Sequence, residues 1–187
     1  MRLAEMRPWA LAVTIPLVLV ASAVPVLTLL QAVTHDEPPM ERAVAWAADL
    51  ERVDDALAAN DVGAATRAWR SAYTAAVASR RWDAMLDVGD AYLRIGDRTQ
   101  MRRVHEAKAR EAFLVAFFRA RREHSLDGVL RAGQAFAGLG DREVVSHCIR
   151  TAEKMVAPGD IATRDRVRQW AERMTVRALA ATEQELP

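Results

Sequence analysis

The sequence predicts an all-α chain: an N-terminal transmembrane helix, then a short solenoid of helical hairpins closed by a C-terminal capping helix. Three observations carry this. Residues 8–34 contain no charged side chain. From Glu41 to Glu185 apolar residues recur at helical spacing, without the alternation a strand requires. The segment WDAMLDVGDAYLRIGDR (82–98) also returns 44 residues later as LDGVLRAGQAFAGLGDR (126–142), with seven of 17 aligned positions identical.

The N-terminal segment opens MRLAEMR, with Arg2 and Arg7 against Glu5. The uncharged run of 27 residues follows. As a helix it would reach roughly 40 Å, beyond the ~30 Å hydrocarbon core. The acidic, proline-containing HDEPPMER comes next. Positive before and acidic after places the N-terminus in the cytoplasm and the rest outside, on the periplasmic face of a bacterial inner membrane. Ala21-Ser22-Ala23 offers a signal-peptidase site, which would release a soluble periplasmic protein. The apolar run continues past it through VPVLTLL, so a retained single-pass anchor is the expectation. The expected boundaries are 1–34 for the cytoplasmic N-terminus and membrane helix, 35–44 for a spacer, 45–159 for about three hairpins, and 160–187 for the cap and tail.

Within the hairpins, Trp46, Leu50, Val53 and Leu57 step by 4, 3 and 4 along one face of a helix. Asn60-Asp61 ends it. A second helix over 62–77 buries Ala65, Trp69, Ala72 and Tyr73, and Ser79-Arg80-Arg81 turns the chain again. Further helices are expected over 143–156 and from Asp160 to about Glu183. In the repeated segment, Gly96 and Gly140 are expected just past helix ends, where glycine adopts the left-handed conformation without a Cβ clash. Asp97 and Asp141 then cap the following helices. Gly89 and Gly133 lie inside helices, where each costs about 1 kcal/mol relative to alanine. That repeated cost predicts close helix approach, with Tyr92 and Phe136 filling the groove alongside. A hairpin of this kind cannot bury its apolar face alone and stacks on the next.

Gly89, Ala91, Tyr92, Gly96 and Asp97, and again Gly133, Ala135, Phe136, Gly140 and Asp141, resemble the first helix and turn of a tetratricopeptide repeat. Ile149, Ala152 and Pro158 resemble the second helix and close of the third unit; Ala65, Trp69 and Ala72 resemble the second helix of the first. The resemblance covers about residues 45–158. The spacing departs from the family's: 36 residues from Asn60 to Gly96, then 44, so the middle unit has an enlarged second helix. The resemblance implies non-catalytic binding of peptides or partner helices in a concave face.

Catalytic and metal-binding patterns are poor. His35, His105, His124 and His147 form no i, i+4 pair with another ligand, and the single Cys148 excludes an internal disulfide. Asp54-Asp55 and Asp87/Asp90 are carboxylate pairs without a partnering His or Lys, and read as helix-surface charge. No phosphate-cradling glycine loop or nucleophile elbow is present. No cofactor, no metal and no enzymatic activity are expected. The net charge of +1 gives no bulk attraction to nucleic acid.

Two features point to a partner surface. Residues 34–97 hold 12 acids and 7 bases, whereas 98–122 hold 8 bases and 2 acids. The second stretch also contains AFLVAFF (112–118), apolar on all sides of a helix. The extra length of this helix is expected to project, with Arg119, Arg121 and Arg122 at the rim of a contact and Phe117 or Phe118 nearer its centre. The expected function is a membrane-anchored scaffold, assembly factor or accessory subunit of an envelope complex. The alternatives are a secreted soluble adaptor and a structural subunit of a redox or transport complex contacting it through the membrane helix. The partners are protein, together with the membrane through residues 8–34.

Overall fold

The computed structural model describes residues 39–184, and side chains over 45–182. The expected membrane helix lies outside the described residues. Among the described residues there are seven helices and no strand, which fits a helical repeat fold in general. They are α1 (Pro39–Ala58), α2 (Val62–Ser79), α3 (Trp82–Thr99), α4 (Arg102–Arg122), α5 (Leu126–Gly138), α6 (Arg142–Met155) and α7 (Ile161–Gln184). Among the described residues no helix is long and apolar enough to cross a membrane. α1 starts at Pro39, so the second half of the expected spacer is helical.

Connections of two to five residues turn each helix back on its predecessor. The hairpins therefore have two ends. The N-terminus of α1 and the α2–α3, α4–α5 and α6–α7 turns share one, called here the near end. The other three turns share the far end. Contacts confirm the alternation. Arg119, at the end of α4, bonds carbonyls at the end of α2. Thr182, late in α7, lies against Gly140 in the α5–α6 turn.

The apolar stripe of α1 packs as expected, with Val53 and Leu57 buried and Trp46 and Leu50 partly so. Val53, Leu57, Trp69, Ala91 and Ile95 join in one core cluster. The Trp69 indole Nε1 donates to the Val88 carbonyl in α3 at 2.8 Å, so burying this ring leaves no donor unpaired. A larger core runs from α2 to α7 around Met85, Phe113, Phe117 and Phe136. Three helix starts are capped by side chains: Asp61 accepts from the Ala64 N–H, Ser125 from the Gly128 N–H and Asp160 from the Thr163 N–H.

The interior glycines do mark close approach. A Cβ on Gly89 would enter the Phe113 ring of α4. One on Gly133 would lie 2.7 Å from the Trp170 ring and 3.0 Å from the Cys148 Cβ. Tyr92 sits elsewhere than expected, between Trp69 and His105, with centroids 4.1 and 4.5 Å away. Phe136 meets Phe113 edge-on.

The two Gly-Asp pairs are not equivalent, which corrects the expectation for Gly96 and Asp97. Gly140 has the left-handed backbone (φ 71°) and ends α5 as expected. Gly96 is buried inside α3, which continues to Thr99. Its missing side chain makes room for His105, whose Cβ would lie 2.7 Å from an added Cβ. Gln100 takes the left-handed position instead (φ 56°). Asp97 is thus not a cap; it pairs with Arg102 at 2.6 Å. Asp141 does hold the N-cap position of α6, but its carboxylate makes no cap bond and instead binds Arg110 of α4.

The middle hairpin is enlarged, with 18 and 21 residues in α3 and α4 against 13 and 14 in α5 and α6. The excess lies at the far end, around Gly96 and His105, and not in the AFLVAFF stretch as expected. α3 extends with α4 there and packs against it. Apolar side chains face solvent at both ends of α4: Met101 and Val104 at its start and Phe118 near its close. α7 lays Val167, Trp170, Met174 and Ala178 onto α5 and α6 as a closing helix.

Candidate functional site

A cleft of roughly 370 Å³ opens between α3, α5 and α7, the first helices of successive hairpins. Its position follows from the unequal hairpins. α5 stops at Gly138, while α3 runs on beside it and α4 supplies Arg102 from beyond its end. Leu86 and Leu93 from α3 and Ala135 from α5 give apolar wall, and Asp90, Arg131, Gln134 and Arg177 give polar groups.

These polar groups divide into partnered and open ones. Arg131 bonds Asp87 at 3.0 Å and lies over the Trp82 ring. Arg102 bonds both Asp97 and the buried Glu106. Asp90 and Arg177 carry no ion pair among the described residues. Desolvation, with Asp87 second, raises the Asp90 carboxyl above its ordinary pKa; Arg94, Arg131 and Arg177 counter this in part. The Asp87 carboxyl is raised for the same first reason. The cleft therefore offers a carboxylate and a guanidinium without ion-pair partners among the described residues, in a lining that is more polar than apolar. Such charges are able to meet polar or charged groups of a ligand.

Asp90 is legible in the sequence only as half of a carboxylate pair on a helix surface. Arg177 is legible only as one of the charges around the α7 stripe. Nothing in the sequence joins two residues so far apart in the chain. The signal that does exist is the unequal spacing of the repeats, which creates the step the cleft occupies.

The expected contact residues separate at the α4–α5 turn. Phe117 is 1% exposed and belongs to the core, packed edge-on to Phe118 and His147. It cannot stand at the centre of a partner contact. Arg119 is not a free rim residue either. Its guanidinium donates to the carbonyls of Ala76, Val77 and Arg81 at 3.0–3.1 Å. Phe118 is 51% exposed, with the Arg121 guanidinium 5.2 Å from its ring centre, and Arg122 is exposed beside it.

Cys148 is buried beside Gly133, where Trp170 also packs, and burial pushes its thiol up to about 12, so it stays protonated at neutral pH. Among the described residues no group of three His, Cys, Asp or Glu side chains is placed to hold a metal ion. His105 is turned to the Met101 carbonyl and Tyr92, and His147 to Phe117. No protein-family model and no curated protein matches this chain.

Proposed function

We propose that this chain is a membrane-anchored, non-catalytic protein-interaction module of a bacterial inner membrane, with a tetratricopeptide-like stack on the periplasmic side that grips an extended segment of a partner in its α3–α5–α7 cleft. The observation that carries the reading is the Asp90 and Arg177 pair of open charges, set on apolar wall between successive hairpins. Such a cleft engages a ligand chiefly through its polar lining and takes selectivity from the two charges. The partner is a protein of an envelope complex, which the module holds as scaffold, assembly factor or accessory subunit. The uncharged run of residues 8–34 supports the anchor.

The test is affinity purification of the full chain from solubilised membranes, comparing wild type with Asp90→Arg and Arg177→Glu. Both side chains face solvent, so both variants should fold. Loss of the same partner from both supports the cleft. Recovery of every partner at wild-type levels by both variants, with unchanged melting, overturns it.

A further inference from the structure

We propose a second surface, beyond the cleft: the near end of the stack docks onto anionic lipid headgroups through Phe118, Val77, Arg80, Arg121 and Arg122. The proposal rests on the membrane-anchored reading above.

Arg119 makes this a single surface. By bonding carbonyls of Ala76, Val77 and Arg81, it ties the end of α4 to the α2–α3 turn. Arg80 and Arg122 are both near enough to depress the Arg119 pKa, after the larger effect of desolvation. Residues 79–83 and 118–124 together contain five arginines against Asp83 and Glu123. Arg81 is held by Asp83, and Arg119 by the carbonyls. Arg80, Arg121 and Arg122 are exposed and carry no ion pair among the described residues. Between them lie two uncovered apolar side chains, Phe118 and the 43%-exposed Val77.

Arg80 occupies a left-handed position (φ 59°) at the end of α2, where glycine would be least strained, and its side chain is exposed.

Chain length allows the patch to reach a membrane that holds the uncharged run. Thr34 closes the uncharged run and α1 begins at Pro39. Five residues of extended chain span at most about 17 Å. The start of α1 therefore stays within that reach of the run's end, and the α2–α3 and α4–α5 turns share its end of the stack. The chemistry matches a headgroup layer. One ring and one valine suit shallow insertion, while guanidinium groups meet lipid phosphates. A stable protein interface requires about 800 Å² on each side, far more apolar surface than these two residues offer.

The test uses the full chain in vesicles of phosphatidylcholine alone and of phosphatidylcholine with phosphatidylglycerol, read by amide hydrogen exchange over residues 77–83 and 118–125. The expected result is slower exchange there on the anionic vesicles only, reversed by high salt. An Arg80→Gly, Arg121→Gln, Arg122→Gln variant should lose that protection. At roughly fivefold per arginine, docking weakens about a hundredfold. This variant keeps the fold testable, because glycine relieves the left-handed backbone and glutamine is a good helix former. Equal exchange on both vesicles overturns the proposal. Protection seen only in native membranes also overturns it, and assigns the patch to a protein. Flotation with the neutral vesicles reads the anchor separately. A chain that fails to float there, yet shows the anionic-dependent protection, supports the docking surface and refutes the anchor.

Discussion

Arg119 of α4 donates from Nη1 to the main-chain carbonyl of Ala76, 43 residues earlier, at 3.1 Å. The carbonyls in the last turn of α2 lack i+4 backbone partners; the Ser79 hydroxyl and the Arg80 N–H meet those of Ala76 and Val77 locally, and Arg119 adds a charged donor to both, at the negative end of the helix dipole. A residue that reads in the sequence as a surface charge is therefore a bracket between two hairpins.

Replacing it should show this. Arg119→Ala should lower stability by about 1.5–3 kcal/mol, the range for hydrogen bonds to a charged group. Arg122→Ala, three residues on and exposed, should change it by less than about 0.5 kcal/mol. Denaturant titration of both variants decides the matter. Equal effects would remove the bracket role.

Gly96 and Gly140 predict a second contrast, since one is needed for space and the other for its backbone. Gly96→Ala puts a Cβ 2.7 Å from the His105 Cβ and should cost about 1–3 kcal/mol by overpacking. Truncating the obstacle should recover part of that, so Gly96→Ala with His105→Gly should melt above the sum of the two single changes. Gly140→Ala is strained by its φ of 71°, and no neighbour truncation should rescue it. Double-mutant cycles measured by thermal melting test both statements. Simple additivity at Gly96 contradicts the steric account.

These two glycines also mark how much was legible. Helix existence and most helix faces followed from periodicity, as with Val53, Leu57 and the Val167, Trp170, Met174 stripe. Gly89 and Gly133 correctly announced close contact. Gly96 misled because glycine has two uses, and a sequence does not say whether the missing Cβ serves φ or a neighbour. AFLVAFF misled differently. α4 is covered by α3 on one side and α5 on another, so Phe113 and Phe117 are buried while Phe118, on the remaining side, is not. The repeat says that hairpins stack, but not which arc stays open. The cleft was least legible, because it is made by helices of unequal length and by residues from α3 and α7.

Asp90 gives the cleft a pH signature. Its pKa is raised in the folded chain, chiefly by desolvation and then by Asp87, so folding favours its protonated form. That stabilisation is fully present below the unfolded value of about 3.9 and is lost as pH rises through the raised folded value. At neutral pH the ionised carboxylate opposes folding. Asp90→Asn should therefore stabilise the chain at pH 7, by roughly 0.5 kcal/mol at a site open to solvent. The gain should shrink toward zero as pH falls below about 3.9. Melting at the two pH values checks the sign, and a gain that grows on acidification contradicts it.

Cys148 reports on the closing helix. Its side chain is fully buried, and Trp170 of α7 lies over the neighbouring Gly133, its ring 2.7 Å from where a Cβ would be. Burial holds the thiol near 12, so almost no thiolate exists at pH 8 and a thiol reagent has neither a nucleophile nor an approach. Trp170→Ala removes the cover and should cost about 3–5 kcal/mol. The thiol pKa should then fall toward its ordinary 8.5, and labelling should quicken by orders of magnitude. The loss of helical signal must be followed in the same samples, because global unfolding would also expose Cys148. Val53→Ala, a cavity in the other core cluster, serves as the control: it destabilises without touching the α7 contact. If Trp170→Ala labels fast while the helices persist, and Val53→Ala does not, α7 is the lid over the last hairpin. If the two variants label at the same rate for the same loss of stability, reactivity follows unfolding alone and the closing role of α7 fails.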